Sequence, residues 1–349
     1  MEIRRFLVTA GPYLLTVYVQ PQTLNLSCRD HYFCNAPTTV RQSHPSATMS
    51  LPDYSALGFK DILVSLDGAV AVIVINRPTE RNSINKNIIK ELIQAFNLCD
   101  RDDRVRAVIL TADPQAPAYC SGADISSGWD LLWEEESEKE GEHAHRDSGG
   151  TVSVAVYRCR KITIAAVNGH AAGAGMTAFQ LPFDFRFVWA GAKLTFPFVR
   201  RGIPAEATST YLLPRLLGHS RASALLLTGA TISPESSYIR DLYYKVLPTR
   251  EEVFPAAKVF ADELAANTSQ PSIAYTKALL QHPGDSIEEN HLLDSRAIRL
   301  LGSSRDAAEG VNSFKERRLP KFVDTLSGTS SPWFPWWRRL DISHLKSKL

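Results

Sequence analysis

The feature that most constrains the fold is the stretch "ITIAAVNGHAAGAGMT" at residues 162–177. Its first six residues are apolar or β-branched and read as a buried strand. The run of small residues, Ala171 to Gly175, then leads into a helix start. A strand, a small-residue turn and a helix N-terminus leave unpaired backbone N–H groups pointing one way, toward an anion or a partly negative oxygen. A phosphate-binding loop would end in Gly-Lys-Ser/Thr, and a dinucleotide fingerprint would space its glycines G-x-G-x-x-G. Here Gly173, Ala174 and Gly175 lead into Met176 and Thr177, so neither motif fits. Alone, the stretch fits equally well a tight turn whose small residues let helix and strand pack closely.

Composition narrows the partners. Lys and Arg number 39 against 37 Asp and Glu, a net charge of +2, which gives no general attraction to nucleic acid or to a membrane surface. An anionic ligand must be met locally. The five cysteines, Cys28, Cys34, Cys99, Cys120 and Cys159, are odd in number and lack C-x-x-C spacing, which argues against a disulfide framework or zinc site and for a reducing compartment. Residues 1–20 are basic then apolar, as in a signal or transit segment. Gly11-Pro12 interrupts that stretch, and it is too short to span a bilayer as a helix. The chain ends Ser347-Lys348-Leu349, the peroxisomal address, beside polar His344 and Lys346. This signal outweighs the N-terminal one.

Residues 21–57 are rich in Pro, Ser, Thr and Asn, as a linker or disordered arm is. The expected organisation is a poorly structured arm at 1–57, a folded domain at 58–326 and a Trp-rich tail at 327–349. Met49 precedes the first regular pattern, so residues 1–48 are expected to be dispensable. Within the domain, 61–78 reads as a hairpin about Asp67-Gly68. A helix follows over 83–102, with Ile88, Ile89, Leu92, Ile93 and Phe96 at helical spacing. Residues 105–112 form a strand. The stretch "WDLLWEEESEKEGEHAHRDSGG" (129–150) reads as a solvated helix or mobile loop, with no metal role for His143 or His145. "FDFRFVWAGAKLTF" (183–196) reads as a strand pair, and the pattern becomes mainly helical from residue 203. The fold class is α/β, a strand-rich core with a helical C-terminal portion.

A second small-residue turn, "CSGAD" (120–124), also directly follows a strand, and two such turns could converge on one oxygen. That is an oxyanion hole, each donor worth about 10²–10³ in rate. With both turns in view, the chain resembles the crotonase superfamily, the enoyl-CoA hydratases and isomerases. The match covers roughly residues 58–323 through four motifs: "INRPTERNSIN", "AYCSGADI", "AAVNGHAAGAG" and "SRDAAEGVNSFKERRLPKF". It implies a spiral of β-β-α turns, homo-trimers or hexamers, and an acyl-CoA thioester whose oxygen lies between the amides of Ala123 and Ala174. Ser121, Gly122, Asp124, Ile125, Gly173 and Phe198 are the implied substrate-binding residues. No metal and no redox cofactor is implied, CoA being part of the substrate.

Family hydratases use two glutamates, and the matching places here hold Thr177 and Phe198. "FPFVRRGIPAEATST" (196–210) is instead similar to the 3-enoyl-CoA to 2-enoyl-CoA isomerases, whose single glutamate matches Glu206. One carboxylate suffices to carry a proton from C2 to C4, a contribution of about 10²–10⁴. An apolar wall including Phe198 would raise its basicity. The alternatives are hydratase or mixed activity, and a non-catalytic acyl-CoA-binding subunit. A structural role for Glu206 as a helix N-terminal acid also fits the residues alone. Asp124 and Asp184 are expected to order the chain. Arg81, Lys315, Arg317, Arg318 and Lys321 are candidates for the CoA phosphates. The expected setting is the peroxisome, reached by an import receptor, in fatty-acid degradation or in the making of a specialised unsaturated acid or toxin.

Overall fold

A computed structural model describes residues 4–10, 13–19, 51–126, 128, 145–329 and 331–340, the first two ranges as backbone only. The Glu-rich stretch up to residue 144 and Ser347, Lys348 and Leu349 lie outside the described residues. The chain forms two units, Met1–Ser50 and Leu51–Leu349. In the first, where little regular structure was expected, strands β1 (Arg4–Ala10) and β2 (Tyr13–Val19) pair antiparallel. The second begins a few residues earlier than expected. Tyr54 is buried there, and its hydroxyl donates to Asp102 Oδ2 at 3.0 Å.

The main sheet of the second unit holds, among the described residues, six strands. In chain order they are β3 (Ile62–Asp67), β4 (Val70–Ile75), β5 (Ala107–Ala112), β6 (Ile162–Val167), β8 (Phe185–Trp189) and β11 (Lys245–Leu247). Their spatial order is β11-β8-β6-β5-β4-β3, with only β3 antiparallel to its neighbour. β11 lies in the region expected to be helical, too short to show a period of two. Alternation along the central strands fills two cores, as it must when both faces are covered. Val72, Ile109 and Ile164 face helix α6 (Arg250–Asn267), where Ala257, Ala261 and Ala265 recur every fourth residue and allow close approach. Ile73, Val108 and Ala165 face the other way, toward α1 (Lys86–Arg101) and α2 (Ser148–Arg158).

The spiral shows in where each second strand goes. β8 and β9 (Leu194–Thr195), expected to pair, lie in different sheets. β9 pairs instead with β7 (Ala171–Ala172) and β10 (Thr231–Ile232). The isolated bridges Cys120↔Ala171 and Ile84↔Ala123 extend this inner layer. Each turn of the spiral thus sends one strand to the outer sheet and one short segment to the inner layer, which carries both small-residue turns. The other α-helices among the described residues are α3 (Ala174–Thr177), α4 (Ser209–Leu217), α5 (His219–Thr228), α7 (Gln270–Gln281), α8 (Ile287–Gly302) and α9 (Arg305–Glu316). α4 and α5 are divided at Gly218, which sits at φ 82°. In the tail, Trp333 and Phe334 pack on Tyr275 of α7, and Trp337 stacks on His282 at 3.9 Å between ring centroids. These aromatics cover their own chain.

Candidate active site

The motif "INRPTERNSIN" sets the first small-residue turn in place. Asn82 is fully buried in the left-handed region, φ 53°, where Asn is tolerated. Its Oδ1 accepts from Arg77 N at 2.9 Å and its Nδ2 donates to Ala118 O at 2.8 Å. Ser121 N donates to Arg81 O at 3.2 Å. In the bridge beyond, Ile84 N donates to Gly122 O at 2.8 Å and Asp124 N to Ile84 O at 3.0 Å. Because a parallel bridge uses the flanking residues' groups, it turns the Ala123 N–H away from Ile84. Asp124 orders its own loop as expected: Oδ1 accepts from Ser126 N at 3.2 Å, and that bonding lowers its pKa.

The second turn packs on the first at backbone distance. Ala172 N donates to Cys120 O at 3.0 Å. A Cβ on Gly122, which sits at φ 90°, would lie 2.9 Å from Ala172 O. Gly173 caps α3 at φ 53°, ψ −124°, open essentially to glycine alone. Ala174 is the first residue of that helix, so its N–H has no partner within it. Among the described residues no backbone carbonyl accepts from Ala123 or Ala174 N–H.

Both turns line one cavity of about 1230 Å³, and Glu206 lies on its wall. So do Ser121, Gly122, Asp124 and Ile125 from the first turn, Gly173 from the second, and Phe198, which is 5% exposed. Every implied binding residue is therefore brought together. Arg81 joins them, whereas Lys315, Arg317, Arg318 and Lys321 do not line the cavity within this chain. Arg318 forks onto Glu309, with Nη2 to Oε2 at 2.9 Å. Asp184 is structural as expected, accepting from Thr163 N at 2.8 Å and from Lys277 Nζ at 2.7 Å.

Glu206 stands three residues ahead of α4, so it is no first-turn acid of that helix. Thr177, buried in α3, donates its hydroxyl to Glu206 Oε1 at 2.9 Å. Ala207 and Thr208 follow at φ 55° and 58°, a strained pair costing about 1–3 kcal/mol per residue. It is held from α2: Ala207 N donates to Asp147 Oδ1 at 3.1 Å, and Thr208 Oγ1 hydrogen-bonds Ser153 Oγ at 2.5 Å. Glu206 is half-buried on the cavity wall, and desolvation first and the neighbouring Asp147 second push its carboxyl up to about 8 against the lowering effect of the Thr177 hydroxyl.

Sequence reasoning missed Asp147, which closes the Glu-rich stretch read as solvated. It caps α2, accepting from Gly150 N, and lines the cavity beside Glu206. The signal was Asp147 before Ser148-Gly149-Gly150, an N-cap ahead of a helical pattern. A Cβ on Gly149 would collide with Glu206 Oε2, so that glycine permits the approach. Two outward N–H groups and a carboxyl of raised proton affinity can together polarise a carbonyl and move a proton beside it.

Residues 65–325 match the family model described as enoyl-CoA hydratase/isomerase. The chain is 38% identical over 257 residues to Enoyl-CoA hydratase AFT3-1 of Alternaria alternata, covering 74% of this chain and 84% of that protein. It is 30% identical over 274 residues to 1,2-epoxyphenylacetyl-CoA isomerase of Escherichia coli, covering 75% and 98%. Among solved structures, a probable enoyl-CoA hydratase/isomerase from Mycobacterium abscessus superposes with TM-score 0.66 at 34% identity, covering 75% of this chain and 97% of that one. The spiral, the paired turns and these likenesses agree, and the chain belongs to the enoyl-CoA hydratase/isomerase family of the crotonase superfamily.

Proposed function

We propose that the protein is an enoyl-CoA isomerase moving a double bond from C3 to C2 of an acyl-CoA. The Ala123 and Ala174 N–H groups hold the thioester oxygen, and Glu206 takes a proton from C2 and returns it to C4. Loss of the C2 proton leaves its electron pair in a dienolate, whose charge on oxygen the two N–H groups oppose. The observation that carries the reading is Glu206 itself, a half-buried carboxyl on the wall of the cavity that both turns line, its proton affinity raised by desolvation. The two places where a hydratase has its glutamates are otherwise used: Thr177 holds Glu206, and Phe198 is buried as wall.

A hydratase reading has in its favour the names of relatives such as Enoyl-CoA hydratase AFT3-1. Incubation of the purified protein with 3-enoyl-CoA and, separately, 2-enoyl-CoA of several chain lengths separates the two. Double-bond migration without mass change, lost in Glu206→Gln, is the expected result. Gain of one water, retained in Glu206→Gln, would overturn it. The Ser347-Lys348-Leu349 address extends the proposal to the peroxisome, and import unchanged after deleting those residues would refute that part.

A further inference from the structure

We propose that Asp147 is a positioning residue that sets the basicity of Glu206: the two carboxyls hold one proton between them at rest, and the negative charge of Asp147 makes Glu206 the stronger base when that proton leaves. The inference rests on the reading of Glu206 as proton carrier. It starts from geometry. Asp147 Oδ1 accepts from the N–H of the residue after Glu206, Glu206 Oε2 lies against Gly149 two residues after Asp147, and both acids line the same cavity. Two carboxylates in contact repel, so a proton is retained between them until the pH rises. Asp147 Oδ1 already accepts from Ala207 N at 3.1 Å and from Gly150 N at the start of α2.

Of the other groups facing Glu206, one opposes Asp147. From α3 comes the Thr177 hydroxyl, which favours the ionised form. From α2 comes Gly149, with no side chain. Glu80, Arg81, Asp124, His145, Arg200 and Arg201 line the same cavity.

For the proposed isomerisation the consequence has a sign. Only ionised Glu206 can take the C2 proton, so kcat/KM rises with pH with its midpoint near pH 8 and levels off once Glu206 is ionised. Above that, a base made stronger by Asp147 works faster. Asp147→Asn keeps an oxygen for Gly150 N and Ala207 N, since Asn is as good an N-cap as Asp. Its amide can also donate to Glu206. The acid limb of kcat/KM should then move at least one unit lower while the high-pH plateau falls several-fold. The two profiles cross, the variant being faster at pH 6 and slower at pH 9. Mere damage to the helix cap would instead lower the rate at every pH.

A second measurement needs no turnover. Infrared titration of the free protein, with Glu206→Gln subtracted, reports the protonated Glu206 carboxyl alone. In the wild type this signal should persist to about pH 8, and in Asp147→Asn it should vanish at least one unit lower. An unmoved titration, or an acid limb that stays in place, would overturn the role of Asp147. If the wild type shows no double-bond migration, the isomerase reading fails and the infrared titration still decides the carboxyl pair.

Discussion

Two glutamates are drawn into this domain, and their surroundings are opposite. Glu91 of α1 is 7% exposed and receives four donors. Its Oε1 accepts from Lys60 N at 2.7 Å and Asn87 Nδ2 at 2.9 Å, and its Oε2 from Asp61 N at 2.9 Å and Ile62 N at 3.1 Å. It pins the start of β3 to α1. Glu206 has one hydroxyl donor and a second carboxyl for a neighbour. Both are withdrawn from bulk water, Glu91 buried and Glu206 half-buried on the cavity wall, so withdrawal alone does not mark a reactive acid. What differs is the donor set: both oxygens of Glu91 are occupied by N–H groups and hold structure, whereas Glu206 has one hydroxyl donor and faces the cavity.

Exchanging each for glutamine should separate the two most sharply. Glu206→Gln is expected to lower turnover about 10²–10⁴-fold, while Glu91→Gln leaves activity per folded molecule unchanged. Stability should respond in reverse. In Glu91→Gln the new side-chain amide would face backbone N–H groups that then lack an acceptor, a loss of about 1–3 kcal/mol. Glu206 sits near 8 against an ordinary 4.5, so the folded protein binds the extra proton between those values. Stability from this group therefore falls as pH rises from 4.5 toward 8. Glu206→Gln should lack that fall. Thermal unfolding across this window, together with kcat, tests both halves, and a Glu91→Gln protein that is stable but inactive would break the comparison.

The next effect belongs to the turns. Alanine at Gly122 must adopt φ 90° and place its Cβ 2.9 Å from Ala172 O, prising the two turns apart. Misplacing one N–H by about 1 Å costs up to about 10²-fold, so Gly122→Ala should lose about 10- to 100-fold in kcat with little change at Glu206. An unaltered Glu206 infrared titration beside a lowered kcat is the check.

How much of this was legible in the chain follows from the range of the interactions. The two turns were visible because small residues after an apolar strand are a local pattern, and the resemblance then supplied Glu206. The separation of β8 from β9 was not, since sequence shows that two strands are adjacent in the chain and not which sheet each joins. β11, at Lys245–Leu247, is held by pairing with β8 rather than by any periodicity of its own. Asp147 was hidden for a different reason. Its local sign, an N-cap, is complete without reference to Glu206, and the long stretch of chain between them is closed only by the fold. Glu91 likewise passes for a polar residue of an amphipathic helix until β3 and the residues just before it are seen to deliver three N–H groups to it.

The smallest expected effect is the most discriminating, because its sign opposes that of Asp147→Asn. Thr177 is the donor that Glu206 does have. Valine there preserves the shape of a fully buried side chain and removes the hydroxyl that donates to Oε1 at 2.9 Å. With that donor gone the ionised form of Glu206 is less favoured, so its carboxyl moves above 8 rather than below it. A shift of about one unit is a ten-fold loss of the ionised fraction on the acid side. Thr177→Val should therefore reduce kcat/KM about ten-fold at pH 7 and progressively less above pH 9, where Glu206 ionises in both proteins. Opposite displacements in the two variants would mean that Glu206 is poised between a group that holds its charge and a group that repels it. Displacements of the same sign would mean that both substitutions act by loosening α2 and α3, and the contrast with Glu91 would then lie in packing rather than in donors.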